Sequence, residues 1–233
     1  MVYFPSKEEF FMKLTFLGTG AADWCLALHK GVDGFRRNSS LLIDDCLLID
    51  PSPDAPDAIV EFGVDKSKIK YIINSHNHPD HYNEGTVAYL DGAEFIPFAE
   101  GEVKQIGKYT ISAGCANHSI KTVHFIVSDG EKRLFYGLDG GWLTFEEIEA
   151  IKENGIDLAI LDATVGDIPG DYRIFEHNNL SMIREMKKSL EPHIKRFVIS
   201  HMARTLHTSH KELCENMKKD NIEVAFDGHV IEF

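Results

Sequence analysis

From Ile69 to His81 the chain reads IKYIINSHNHPDH, an apolar, β-branched run followed at once by four ligand-capable side chains, His76, His78, Asp80 and His81. A run of this length and character reads as a buried strand. The ligand cluster then sits on the loop leaving the strand's carboxyl end, where open α/β architectures place their chemistry. Imidazoles two positions apart on a short loop can converge on one metal, while the Asp and His that follow turn toward a different point, so one segment can nucleate two metal sites. Nitrogen and carboxylate oxygen are both competent ligands for zinc, and the mixture also suits manganese, with iron admitted by the same donors. The bland alternative is a solvated polar turn that happens to be rich in histidine. Even with twelve histidines in 233 residues, so ordered a pattern favours the metal.

The rest of the chain bounds what such a site can serve. A length of 233 residues suits a single domain spanning residues 1–233, with ample material for a core. Hydrophobic residues at 43% and charged residues at 26% exclude disordered and collagen-like chains. No apolar run approaches the roughly 20 residues needed to cross a bilayer. Met1 to Glu9 has neither a basic n-region nor an apolar h-region, so the expected setting is cytoplasmic with no membrane partner. Cys25, Cys46, Cys115 and Cys214 lie far apart with no C-x-x-C pair, which argues against a disulfide framework or a thiolate zinc site; all four are expected as small buried side chains. The formal charge of −13 opposes adhesion to long nucleic acids. Bound divalent cations would restore positive charge locally, so the expected partner is a small anionic molecule. The sequence leaves a homodimer open.

Along the chain, a strand is expected at Lys13 to Leu17, then a loop-like stretch up to Arg37, then a hairpin of Leu41 to Ile43 and Leu47 to Ile49 about Asp44-Asp45. A short helix near Asp57 to Phe62 precedes the strand into the histidine cluster, and a helix runs from beyond His81 to Leu90. Two strand pairs follow, Glu102 to Ile106 with Tyr109 to Ala113, and Val123 to Ser128 with Lys132 to Leu138 across Asp129-Gly130. The back half alternates: helix Thr144 to Glu153, strand Ile156 to Leu161, helix Leu180 to Leu190, strand Phe197 to Ser200, helix His210 to Lys218. Terminal strands are expected at Glu223 to Phe226 and Val230 to Phe233. Hairpins mixed with helix–strand alternation point to an α+β or α/β fold whose sheets are covered on their outer faces by helices.

A two-metal site needs more ligands than one loop supplies, and other strand ends offer them. Tyr109 to Ala113 runs toward His118, Leu134 to Leu138 ends at Asp139, and Phe197 to Ser200 ends at His201. Each of these alone is as readily a turn residue. Asp139 is followed by Gly140 and Gly141, which allow close backbone approach, and its two oxygens can bridge paired metals.

With these residues in order the chain resembles the metallo-β-lactamase superfamily of binuclear hydrolases. The resemblance runs from Phe16-Leu17-Gly18-Thr19-Gly20 through Arg37 to Asp44 and the H-x-H-x-D-H signature to His118, Asp139 and His201. It implies a four-layer αββα sandwich with two divalent ions, zinc or manganese, at one edge. His76, His78 and His118 would hold one ion, Asp80, His81 and His201 the other, and Asp139 would bridge them. Glu176-His177-Asn178-Asn179-Leu180-Ser181 adds a likeness to the branch of cyclic phosphodiesterases and the tRNA 3′-end processing ribonuclease. The chain looks most like the cyclic phosphodiesterase, whose Cys-rich zinc loop is missing here, since only Cys25 lies between Gly20 and Arg36.

The function implied is hydrolysis of a small or cyclic phosphodiester by a metal-bridging hydroxide, with Asp80 orienting the nucleophile and His177 as general acid. Acyl hydrolysis of the lactonase, thioesterase or β-lactamase type stands as the alternative, and a non-catalytic metal-binding protein as the third reading. Asp50 is a candidate brace for a ligand imidazole. Tyr82, Trp142, Arg173 and Arg204 lie near motif positions and are candidates to touch substrate. His29, His124, His193, His207, His210 and His229 follow no ligand pattern and are expected in packing or surface roles.

Overall fold

Strands buried on both faces need a cover on each side, and the chain has several. All residues of Ser40–Ile43 and Leu47–Ile49 are buried, as are six of the seven in Ile156–Asp162. The computed structural model describes residues 11–233, so the Met1 to Glu9 stretch read above lies outside the described residues. The first part contributes β1 (Lys13–Gly18), α1 (Leu26–His29), β2 (Ser40–Ile43), β3 (Leu47–Ile49), α2 (Ala55–Glu61), β4 (Tyr71–Ile73), α3 (Glu84–Tyr89) and β5 (Glu94–Phe95). Then come β6 (Val103–Ile106), β7 (Tyr109–Cys115), β8 (Val123–Ser128), β9 (Arg133–Gly137) and α4 (Phe145–Asn154). The last part holds β10 (Ile156–Asp162), α5 (Leu180–Leu190), β11 (Ile194–Ser200), α6 (His210–Lys218), β12 (Glu223–Val224) and β13 (Val230–Glu232).

Two sheets form, one of six strands in the order β13-β1-β2-β3-β4-β5 and one of seven in the order β12-β11-β10-β9-β8-β7-β6. Between them lies the largest core, where Leu14, Phe16, Leu41 and Ile49 meet Phe125, Val127, Tyr136 and Ile160. The outer face of the seven-stranded sheet, with Phe135, Leu161 and Ile199, is covered by α4, α5 and α6 through Ile151, Ile183, Met186 and Met217. Leu42, Leu48 and Ile72 on the outer face of the other sheet pack beneath Ala58 and Ile59 of α2. This is the four-layer αββα sandwich expected from the sequence.

Strand direction gathers the site. β3 and β4 are parallel, as are β9, β10 and β11, and β7 lies antiparallel to β8, which lies antiparallel to β9. The carboxyl ends of β7, β9, β10 and β11 therefore lie at one edge of their sheet and those of β3 and β4 at one edge of the other, and residues beyond β4, β7, β9 and β11 meet there. Gly18 makes a second approach possible: a Cβ at that position would stand 1.9 Å from the Asn38 carbonyl oxygen, so only glycine lets β1 pass the segment entering β2. Gly20 N then donates to Arg37 O at 2.7 Å.

Most expected elements appear within a few residues of their expected ends, and α5 and α6 match at both. Asp44 and Asp45 adopt φ of 49° and 56°, and Cys46 N closes this left-handed turn on Ile43 O at 2.9 Å, in a three-residue loop between the paired Ile43 and Leu47. Four differences have physical causes. The stretch up to Arg37 holds the one-turn helix α1, which has no side-chain cap and buries no residue, so it carries no periodicity to read. Helix α2 starts two residues early, because Pro56 fits the first turn of a helix. The pair Glu94–Phe95 is too short to stand out as a strand. The cysteines are not the buried small side chains expected: Cys25 is exposed and Cys46, Cys115 and Cys214 are half-buried, Cys46 in a turn, Cys115 at a strand end and Cys214 on α6 at the margin of the core beneath it. No helix among the described residues is long and apolar enough to cross a membrane.

Candidate metal centre

The loop after β4 turns His76, His78, Asp80 and His81 toward the shared edge, and the ends of β7, β9 and β11 bring His118, Asp139 and His201 to meet them. Ligand atoms of His76, His78, His118 and Asp139 lie within 4.8 Å of one another, and so do those of Asp80, His81, Asp139 and His201. These two groups are the ones the resemblance implies, with Asp139 common to both; ligand atoms of Asp139, Asp162, His177 and His201, and of His118, Glu176 and His177, also lie within 4.8 Å of one another.

The donor chemistry tests whether cations fit. His76 Nδ1 lies 2.9 Å from Ser75 Oγ and His118 Nδ1 lies 3.2 Å from Glu176 O, so each ring can spend its proton there. That leaves the lone pairs of His76 Nε2 and His118 Nε2 aimed at His78 Nδ1, each 3.1 Å away. Three acceptor nitrogens facing one another ask for a cation between them. In the second group His201 Nδ1 meets Thr164 Oγ1 at 2.7 Å, and its Nε2 faces His81 Nε2 at 3.0 Å. Asp139 Oδ1 is buried without a hydrogen bond, although His201 Nδ1 is 3.0 Å away, so its alignment is left for another partner. The residues fit divalent cations.

Asp50 braces this arrangement as expected. Its Oδ2 accepts from His81 Nδ1 and Tyr136 OH, both at 2.8 Å, and from Ser75 Oγ at 3.0 Å; Oδ1 accepts from Ser75 N at 2.7 Å. One carboxylate thus orients His81 directly and His76 through Ser75, the usual use of a group behind a ligand. Asp50, Asp139 and His201 all adopt left-handed φ, 60°, 58° and 63°. Such backbone costs about 1–3 kcal/mol per non-glycine residue and persists where the surroundings over-determine it.

Without cations, protons and carboxylates balance one another. Burial opposes the charge on His81, but Asp139, Asp80 and Asp50 outweigh it and raise its pKa to about 10. His201 is likewise pulled down by burial and raised well above its ordinary value by Asp139, which is itself held far below the usual carboxylate range. Burial, reinforced by the charge on His81, lowers His76 to about 4. Ligating imidazoles must be neutral, so metal loading at pH 7 is expected to release about two protons, from His81 and His201. The number should fall as pH rises toward 10, where metal-free His81 deprotonates. Calorimetric titration in buffers of different ionisation enthalpy measures it, and a heat independent of buffer would contradict it.

His177 stands beside the second group, its ring stacked on His201 at a centroid distance of 5.7 Å. Its Nδ1 is engaged by Asp162 Oδ2 at 2.9 Å and lies 3.1 Å from Thr164 Oγ1, while Nε2 has no hydrogen bond among the described residues. Burial lowers its pKa, but Asp162 prevails and the pKa lies above the ordinary histidine value. Asp162 and Thr164 go unnamed in the sequence reading, although the strand-end rule that points to Asp139 also applies to Asp162. A cleft of about 420 Å³ opens over His78, Asp80, His118 and His177, with Arg173 on its wall. Of the other candidates to touch substrate, Tyr82 lines an adjacent cavity, Arg204 another, and Trp142 an apolar groove between α4 and α5. None of the six histidines set aside above joins a ligand group among the described residues.

The family model of the metallo-β-lactamase superfamily matches residues 32–96, a span that includes the whole histidine loop. The fold extends that likeness to the full chain. The metallo-β-lactamase fold protein YhfI from Bacillus subtilis aligns over 96% of this chain and 99% of its own, with a TM-score of 0.77 at 17% identity. The chain has the metallo-β-lactamase fold. A diphosphatase of the PhnP family shares this fold over 95% of this chain and 98% of its own, with a TM-score of 0.74 at 19% identity. The short form of human tRNase Z (ELAC1) does so over 94% and 98%, with a TM-score of 0.68 at 16% identity. No curated protein sequence matches the chain.

Proposed function

We propose that the chain is a binuclear metal-dependent hydrolase that cleaves small or cyclic phosphodiesters. His177 carries this reading. It is a histidine outside both proposed ligand sets, held at Nδ1 by the buried Asp162, with its other nitrogen free beside the cleft. A group so placed suits proton donation to a departing alkoxide, which phosphodiester hydrolysis requires. The fold shared with a PhnP-family diphosphatase and with a tRNase Z supports the same class. A cleft of about 420 Å³ on a chain of net charge −13 favours a small substrate over a long polyanion.

His76, His78, His118 and Asp139 would hold one ion, and Asp80, His81, His201 and Asp139 the other. When bound, zinc or manganese would lower the pKa of water and neutralise the non-bridging oxygens of the ester. In the metal-free protein Asp80, despite burial, is held down to about 2, chiefly by the charge on His81; a bound cation would replace that charge, so Asp80 would remain an acceptor able to orient an attacking water. Asp162 keeps the His177 Nδ1 proton and directs Nε2 outward, so that the proton lost to the leaving group comes from Nε2.

The test is turnover of bis(p-nitrophenyl) phosphate by protein supplied with zinc or manganese, alongside thioester and lactone substrates. Cleavage of the phosphodiester is expected. Cleavage of a thioester or lactone without it would transfer the assignment to acyl hydrolysis.

A further inference from the structure

His124, on β8, is only 2% exposed, and it faces Glu147 of α4, 4% exposed. Both ring nitrogens are engaged: Nδ1 meets Glu147 Oε1, and Nε2 lies 3.1 Å from Leu138 O. A carboxylate and a carbonyl are both acceptors, so the two contacts together call for an imidazolium. Burial opposes that charge, but Glu147 outweighs it and raises the pKa. The other oxygen of Glu147 accepts from Thr144 N at 2.8 Å and closes the capping box at the start of α4.

The second proton of His124 does not go to the helix. It goes to the carbonyl of the peptide that enters Asp139. The N–H of that same peptide donates to Asp162 Oδ2 at 3.1 Å, so the peptide is gripped at both ends. The ring also bears on the next residue, since a Cβ on Gly140 would lie 2.7 Å from His124 Cε1. Asp139 itself holds its left-handed φ of 58° with no glycine to ease it. If the pair only joined α4 to the sheet, an apolar pair of similar volume would serve as well or better.

We propose that His124, seated by Glu147, is a positioning residue for Asp139. Its Nε2–H bond to Leu138 O fixes the peptide plane that aims the Asp139 carboxylate between the two ligand groups before any cation arrives. The proposal rests on the reading of Asp139 as the shared ligand.

The test uses the full chain, stripped of metal and titrated with zinc against a chromophoric chelator, with thermal unfolding of each metal-free protein alongside. Three variants are compared: His124→Phe, the paired His124→Phe/Glu147→Leu, and Glu147→Gln. His124→Phe strands a buried carboxylate and is expected to melt below wild type. The paired change removes that charge and should recover stability. Zinc affinity is expected to remain about 10- to 100-fold weaker in both, the range found when a partner behind a ligand is lost. Glu147→Gln leaves a neutral ring that still donates from Nε2 to Leu138 O, and its affinity should stay near wild type. Recovery of affinity together with stability in the paired variant would reduce His124 to packing and overturn the proposal. A loss in Glu147→Gln as large as in His124→Phe would overturn it too. Wild-type protein that binds no zinc would instead overturn the shared-ligand reading, and the positioning role with it.

Discussion

Asp139→Asn is expected to abolish two-metal binding and with it all hydrolysis. The substitution keeps the shape of the side chain and removes one charge, at the point where both ligand groups meet. Asp139 oxygens lie 2.9 Å from His76 Nε2, 3.2 Å from His81 Nε2 and 3.0 Å from His201 Nδ1. An asparagine can present one neutral oxygen to this set, and its amide N–H₂ must face nitrogens that need a cation. Loss of affinity is expected to exceed the roughly 100-fold upper range for partners behind a ligand. The metal-free variant should also suffer, because removing one partner from a buried charged set costs about 3–5 kcal/mol. Part of that is recovered when His81 and His201, no longer held up by Asp139, release their protons. In wild-type metal-free protein, His81 has a folded pKa of about 10, above its unfolded value. Its contribution to stability is thus complete below the ordinary histidine pKa and is lost as pH rises toward 10. In Asp139→Asn that contribution should shrink and its upper limit should move to lower pH. Chelator competition and pH-dependent melting of the metal-free proteins measure both effects. Wild-type zinc stoichiometry and affinity in the variant would remove Asp139 from the centre.

Why so much of this centre could be read in advance follows from strand geometry. A ligand loop directly after an apolar run places its side chains at a sheet edge, and parallel strands share that edge. His76 to His81, His118, Asp139 and His201 all follow the rule, which marks them as candidates, while their division between two ions is what the resemblance to the metallo-β-lactamase superfamily implies. Asp162 follows it as well, but a carboxylate engaged by the N–H groups of Asp139, Thr164 and Asn178 and by His177 has no spacing signature of its own. The left-handed backbone at Asp50, Asp139 and His201 was not legible, because no glycine marks it and hydrogen bonds from distant elements hold it. His124 was hidden for a related reason: its partners, Glu147 and Leu138, lie 23 and 14 residues away and converge only when α4 packs on the sheet. Sequence reading thus recovers what a strand end determines locally and misses what a second layer supplies.

His177→Ala is expected to separate proton donation from metal binding. The ring is engaged through Asp162 and Thr164, and its removal leaves every proposed ligand and the Asp50 brace in place. Metal content should therefore match wild type while turnover falls. General acid catalysis contributes about 10²- to 10⁴-fold, and the loss should approach that range for esters with an alkoxide leaving group. For bis(p-nitrophenyl) phosphate, whose phenolate departs with little help, the loss should be much smaller. This dependence on leaving group distinguishes a proton donor from a residue that merely shapes the cleft, which would slow both substrates alike. The pH profile gives a second sign. Burial opposes the charge on His177, but Asp162 outweighs it and raises the pKa, so the acid form persists to higher pH than in an ordinary histidine and wild-type activity toward alkyl esters should decline as pH rises through that pKa. The variant should lose this alkaline decline. Equal losses on aryl and alkyl esters, with the alkaline limb retained, would assign the proton to another group and leave His177 a wall of the cleft.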